Sequence, residues 1–176
     1  MKGRGEKQGS HRVEWSFEKE NLRMDISGEF KIPASRPSVW EALNDPDRLA
    51  RSIPGCESIE RESSDRFTAV VEAKIGPVRS KFSCELDLSD LDPPSKYTIS
   101  GRGKGGPAGF GKGQAVVRLE EDGEGTLLKY SAELQVGGKL AQIGSRLVAG
   151  AARKIADDFF SRFAALFEED ESPGQG

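Results

Sequence analysis

From Ile26 onward the chain alternates apolar and polar residues, with one interruption near the start and a change to helical spacing near the end. Residues 26–32 predict a first strand. Pro33-Ala-Ser35 breaks it, with Ser35 placed as a helix N-cap and Pro37 at an early helical position. Val39, Trp40 and Leu43 fit one face of a short helix that stops at Asn44-Asp-Pro46. A second short helix fits Pro46–Ser52, and Ile53-Pro-Gly-Cys56 turns the chain into strands. In residues 67–75, Phe67, Ala69, Val71, Ala73 and Ile75 share a face. Gly76-Pro77 is a turn signal. In residues 78–88, Val78, Ser80, Phe82, Cys84, Leu86 and Leu88 point one way, and Arg79, Lys81, Glu85 and Asp87 the other. This is the pattern of a half-buried antiparallel strand.

Asp92-Pro-Pro-Ser95 turns the chain again, and strands follow at 97–103, 110–119 and 126–136. Asp122-Gly123 supplies the hairpin turn between the last two. After Gly137-Gly138 the period becomes helical. Leu140, Ile143, Leu147, Ala151, Ile155, Phe159, Phe163 and Leu166 recur every three or four residues, which predicts one amphipathic helix over 139–167, about 43 Å long. Strands that bury one face each need a cover, and the final helix is the large element left to provide it. The expected fold is α+β: a seven-stranded antiparallel sheet curved around a long C-terminal helix, with two short helices after the first strand.

Both ends of the chain depart from this pattern. Residues 1–23 carry six basic and four acidic residues and no apolar period, and a patterned segment begins at Met24. They read as a disordered extension or the product of an upstream start, with a basic arm touching a membrane or partner as the rival. Residues 168–176, EEDESPGQG, read as a disordered acidic tail. The domain is therefore expected at 24–167.

Length and charge narrow the function. A chain of 176 residues is about one domain, large enough to be stable without disulfides or metal. The net charge of −3 sits mostly in the ends, so the near-neutral body does not suit nucleic acid held by bulk electrostatics. His11 is the single histidine, which leaves the body without a histidine-based triad or metal cage. Cys56 and Cys84 form no CxxC pair, and no histidine in the body activates either thiol. No secretory h-region or membrane-spanning stretch is present, and free thiols without export predict the cytoplasm. Asp157-Asp158 and the aspartates at 87, 90 and 92 assemble no acid/base or metal site.

Gly101-Arg-Gly-Lys-Gly-Gly106 satisfies GxGxxG, and residues 106–113 come near a P-loop. Both phosphate cradles require a following helix whose N-terminus meets the phosphate. Here Pro107 and a further strand follow, so the expectation is a hairpin with glycines at strand positions. Lys139, Arg146, Arg153, Lys154 and Arg162 read as a solvated helix face, or as a surface for acidic lipid headgroups.

Several motifs together resemble the CoxG family of carbon monoxide dehydrogenase proteins, within the START-like, or SRPBCC, helix-grip superfamily. They are Gly28-Glu-Phe-Lys-Ile-Pro33 with Val39-Trp40 and Leu43-Asn-Asp-Pro46, Ile53-Pro-Gly-Cys56, and Lys74-Ile-Gly-Pro-Val78. Leu88-Ser-Asp-Leu-Asp-Pro-Pro94, Gly109-Phe-Gly-Lys-Gly113 and Val136-Gly-Gly-Lys-Leu-Ala-Gln-Ile-Gly-Ser-Arg-Leu147 complete the set. The resemblance implies a cavity between sheet and helix. It also implies an accessory role, attaching a molybdenum hydroxylase such as carbon monoxide dehydrogenase to the cytoplasmic membrane or linking it to the quinone pool. Some members carry an apolar C-terminal anchor; anchoring through a helix of its own is not expected for this chain.

The expected ligand set is Trp40, Phe67, Phe82, Phe110, Tyr130, Ile143, Gly144, Leu147 and Phe159, around an apolar molecule such as a quinone or lipid. Phe110 shares a face with Lys112, Gln114 and Arg118, so a place at the rim or outside is its alternative. No catalytic residue, metal or covalent cofactor is expected. Two other functions stay open: an enzyme of the polyketide cyclase or aromatase type, with Tyr130 as its candidate polar group, and a protein adaptor with a collapsed cavity.

Overall fold

The computed structural model of the protein describes residues 21–170. Its elements are β1 (Asn21–Ile32), α1 (Arg36–Leu43), α2 (Pro46–Ser52), β2 (Cys56–Ser63), β3 (Arg66–Ile75), β4 (Val78–Asp92) and β5 (Lys96–Lys104). After a 3-10 turn (Gly106–Ala108) come β6 (Phe110–Asp122), β7 (Gly125–Gly137), α3 (Lys139–Gln142) and α4 (Ser145–Asp170). The strands form one antiparallel sheet in the order β1-β7-β6-β5-β4-β3-β2. Strands β2 to β7 are a meander, and β1 returns to pair with β7, Phe30 opposite Leu128 and Ile26 opposite Ala132.

The local signals act as their chemistry predicts. The Ser35 hydroxyl accepts the Ser38 amide at 3.4 Å and Asp45 accepts the Asp47 amide at 3.0 Å, so both short helices start on side-chain caps. Pro37 and Pro46 sit in the first turns, where no amide is needed. The buried Thr126 hydroxyl donates to the Ala34 carbonyl at 2.7 Å, which ties the break after β1 to the start of β7.

Two differences from the sequence pattern change the architecture, beyond strand ends that shift by a few residues. Strand β1 starts at Asn21, so residues 21–23 belong to the sheet: Asn21 faces Gly137, Leu22 faces Val136 and Arg23 faces Gln135. Leu22 and Met24 extend the inward set of Ile26 and pack against the buried Val136 and Leu140 cluster. The polar residues between them hide that period. Residues 1–20 and 171–176 lie outside the described residues. The single helix expected over 139–167 is two helices, because Gly144 takes φ +99°, a conformation that glycine adopts without strain and other residues avoid. The second of them runs on to Asp170.

The sheet and helices enclose two apolar clusters. One, under α1 and α2, centres on Val39, Leu43, Phe67, Tyr97, Leu128 and Phe163. The other, under α3, centres on Phe82, Val136, Leu140 and Val148.

Candidate functional site: an enclosed apolar cavity

A cavity of about 160 Å³ lies inside the first cluster, between the sheet and α4. Phe67 of β3, Leu86 and Leu88 of β4, Tyr97 and Ile99 of β5, Val117 of β6 and Leu128 of β7 form its sheet wall. Phe159 and Phe160 of α4 cover it, and Leu43, Leu49 and Ile53 of the short helices close its end. The strand residues reach it because each occupies the inward position of its period. Eleven of the twelve side chains are hydrocarbon. Larger hollows of about 760 and 990 Å³ also exist, but they are open grooves over charged residues such as Arg23, Glu85 and Arg102, or Glu41, Asp45 and Arg61. This cavity combines apolar walls with a more enclosed shape than those grooves, the usual form of a site for an apolar ligand.

Tyr97 supplies the one polar side-chain atom of the wall. The residue is 2% exposed, and its ring packs edge-on against Trp40 with centroids 5.1 Å apart. No hydrogen bond to its hydroxyl is found among the described residues. Burial alone pushes the phenol well above its ordinary value, so it stays protonated. Outside the wall, the Arg61 guanidinium lies over the Phe67 ring at 4.7 Å and donates to the carbonyls of Ser64 and Asn44. This charge stays behind an aromatic ring.

The sequence-predicted set divides. Phe67 and Phe159 line the cavity. Trp40 and Tyr130 stand one layer behind it: Trp40 positions Tyr97, and Tyr130 stacks on Phe160 with centroids 5.9 Å apart. Tyr130 also covers Gly28, where an added Cβ would lie 2.9 Å from its ring. Burial raises its pKa, with Asp157 adding to the rise and Arg153 opposing it. It is half-buried beside the helix, so the deep polar group is Tyr97 and not Tyr130.

Phe82 and Ile143 belong to the second cluster. Phe110 is a correction. It is 36% exposed on the outer face, its ring over Gly137, because β6 turns its even-numbered residues away from Val117 and Leu119. Leu147 is 53% exposed and meets the β3–β4 turn at Gly76. Gly144 opens no space beside a ligand. It marks the helix break, and no atom lies within 4 Å of a Cβ built there.

The remaining motifs resolve simply. Gly101 and Gly103 of β5 pair with Gly113 and Gly111 of β6, in an antiparallel hairpin with no helix behind it. The free thiols Cys56 and Cys84 are both half-buried, and burial raises both pKa values. Cys56 faces Val71 and Cys84 faces Ala69, so two strand spacings of about 4.8 Å separate them, too far for a disulfide. Among the described residues no group of three His, Cys, Asp or Glu side chains is placed to hold a metal, and no helix is long and apolar enough to cross a membrane.

A seven-stranded antiparallel sheet closed over a C-terminal helix, with an apolar cavity between them, defines the helix-grip, START-like class of proteins. Within it, the model of the CoxG family, the G subunit of carbon monoxide dehydrogenase, matches residues 28–166, and this chain belongs to that family. A conserved protein from Geobacillus kaustophilus is 31% identical, with a TM-score of 0.78 over 83% of this chain and 96% of that one. The Zhui aromatase/cyclase from Streptomyces sp. R1128 has a TM-score of 0.65 at 15% identity, over 88% of this chain and 99% of its own. Protein Ms6760 from Mycobacterium smegmatis has a TM-score of 0.62 at 15% identity, over 84% of this chain and 92% of its own. The last two show the fold alone. No curated protein matches the chain.

Proposed function

We propose that this chain is a non-catalytic accessory protein that holds an apolar molecule, a quinone or a lipid, and serves a molybdenum hydroxylase such as carbon monoxide dehydrogenase at the inner face of the cytoplasmic membrane. The enclosed cavity with eleven hydrocarbon side chains carries this reading. Its size refines it. Pockets for drug-sized ligands run from about 300 to 1,000 Å³, whereas an apolar cavity of about 150 Å³ takes a single ring. The cavity therefore takes the ring, or a short acyl segment, of a longer molecule. The remainder has a surface to follow: Leu147, Ala151, Ile155 and Phe159 form one i,i+4 ridge on α4, from the exposed Leu147 through Ile155, 37% exposed, to Phe159 in the wall.

Native mass spectrometry of the protein purified from its own host tests both parts. The expected result is a bound apolar molecule together with hydroxylase subunits. If neither host extracts nor quinone titrations show a bound molecule, the carrier reading fails. If pull-downs recover no hydroxylase component, the accessory reading fails.

One observation favours a second reading, catalysis: Tyr97 is a titratable group inside the cavity. It is a phenol held protonated, with no carboxylate, imidazole or amine beside it in the wall to exchange its proton. That lining fits binding better than acid/base chemistry. A collapsed-cavity adaptor is disfavoured by the 160 Å³ of open space.

A further inference from the structure

We infer that the Tyr97 hydroxyl is the specificity-determining donor of the cavity, and that the moiety it selects is an uncharged, ring-sized group bearing a carbonyl oxygen. The inference rests on the reading of the cavity as a ligand site. Tyr97 is 2% exposed and supplies the one polar side-chain atom among twelve lining residues. Its hydroxyl has no partner among the described residues. A donor with no protein partner is satisfied by whatever occupies the space in front of it. Trp40, edge-on at 5.1 Å, fixes the ring from behind, so the donor is held in place before a ligand arrives.

The chemistry of the walls sets the rest. A phenol kept neutral by its surroundings donates a hydrogen bond and offers no positive charge. The neighbouring walls are Leu86, Leu88, Ile99, Val117, Phe159 and Phe160, which are hydrocarbon and offer no charged partner. A carboxylate entering this space would shed its water with nothing to replace it, so ionised ligands are excluded. A pure hydrocarbon would leave the hydroxyl unpaired. A carbonyl oxygen on an apolar ring meets both conditions.

Acetophenone and α-methylstyrene test this directly, because they differ only in replacing C=O by C=CH2. Both are titrated into the full chain and into Tyr97→Phe and followed by NMR, with benzoate as the charged control. Wild type is expected to bind both neutral probes and not benzoate. Its preference for acetophenone over α-methylstyrene is expected to fall by about fivefold to tenfold in Tyr97→Phe, the size of one hydrogen bond. Binding of α-methylstyrene should persist in that variant. A measurement on wild type alone guards against misfolding: the carbonyl of 13C-labelled acetophenone should move downfield on binding, relative to its position in alkane. An unchanged preference in Tyr97→Phe, or a bound carbonyl at its alkane position, overturns the role of Tyr97 and leaves the cavity as a ligand site. Benzoate binding as tightly as acetophenone overturns the selection for uncharged groups. Failure of both neutral probes to bind wild type overturns the cavity reading itself.

Discussion

Substituting Gly144 by alanine gives opposite signs for the two ways of reading the C-terminal segment. In one continuous helix over 139–167, Gly144 would be an interior glycine, and alanine there would gain about 1 kcal/mol. In the structure Gly144 has φ +99° and joins two helices. An alanine Cβ would meet no atom within 4 Å, so no clash contributes and the effect is conformational. Holding a non-glycine residue in such a region costs about 1–3 kcal/mol. A stiffer unfolded chain returns about 0.4–1 kcal/mol of that. The net expectation for Gly144→Ala is a loss of about 1–2 kcal/mol, which for a domain of this size lowers Tm by about 2–8 °C. Gly150 is the internal control, because it lies inside α4, is exposed, and also has open space around a built Cβ. Gly150→Ala should raise stability by about 0.8–1 kcal/mol. Urea unfolding of the two variants beside wild type, at constant m-value, measures both. If Gly144→Ala stabilises as Gly150→Ala does, the break between the helices is wrong.

Further perturbations follow from the same contacts. Phe67→Ala removes a 1% exposed side chain from the cavity wall and should cost about 3–5 kcal/mol, whereas Phe110→Ala, on the outer face, should cost about 1–2 kcal/mol; urea midpoints separate them. Thr126→Val keeps the shape but leaves the Ala34 carbonyl without its donor, an expected loss of about 1–3 kcal/mol in the same assay. The pH dependence of stability should show Tyr97 above its unfolded pKa of about 10. Its folded pKa lies higher, so the native state keeps a proton that the unfolded state releases, and stability falls as pH rises through that window. The fall should be shallower in Tyr97→Phe by up to about 1.4 kcal/mol per pH unit, and equal slopes would refute the buried phenol.

Period two was the most informative signal in the chain. It located every strand from β3 to β7 because each buries one face, and that alternation also decided which side chains face the helix. Phe110 shows the strength of the rule: an aromatic residue invites a place in the pocket, yet its parity with Lys112 and Arg118 puts it outside, as the structure finds. Where a boundary depended on backbone conformation, the pattern could not see it. The apolar repeat runs straight through Gly144, because a helix break that keeps the same face buried does not disturb the repeat.

The cavity was legible only as a face. Which inward residues border empty space and which pack solidly depends on where α4 crosses the sheet, and no local spacing records that. Phe67 and Phe82 occupy equivalent inward positions of β3 and β4, yet one meets the cavity and the other the second cluster. Tyr97 carried one available signal. It is a tyrosine at an inward position, and a polar tip on an apolar face calls for a partner. Tyr130 satisfied the same rule and drew attention first, but Asp157 and Arg153 lie near enough to influence it, and no comparable group influences Tyr97.

The mismatch between a single-ring cavity and a tailed ligand makes the ridge on α4 testable on its own. Leu147→Ser with Ile155→Ser removes apolar surface that is 53% and 37% exposed, so the expected cost to stability is about 1 kcal/mol or less. The effect on binding should depend on the ligand. A quinone ring without a tail occupies the cavity alone, and its affinity should not change. The same ring with a short prenyl tail loses the contact its tail makes along the ridge. At about 0.8 kcal/mol for each methylene returned to water, two methylenes suffice for about a tenfold loss. Calorimetric titration of both ligands into wild type and the double variant reads the difference. Equal affinities for the tailed ligand would show that the tail takes another route, and an equal loss for both ligands would show that the variant has disturbed the cavity.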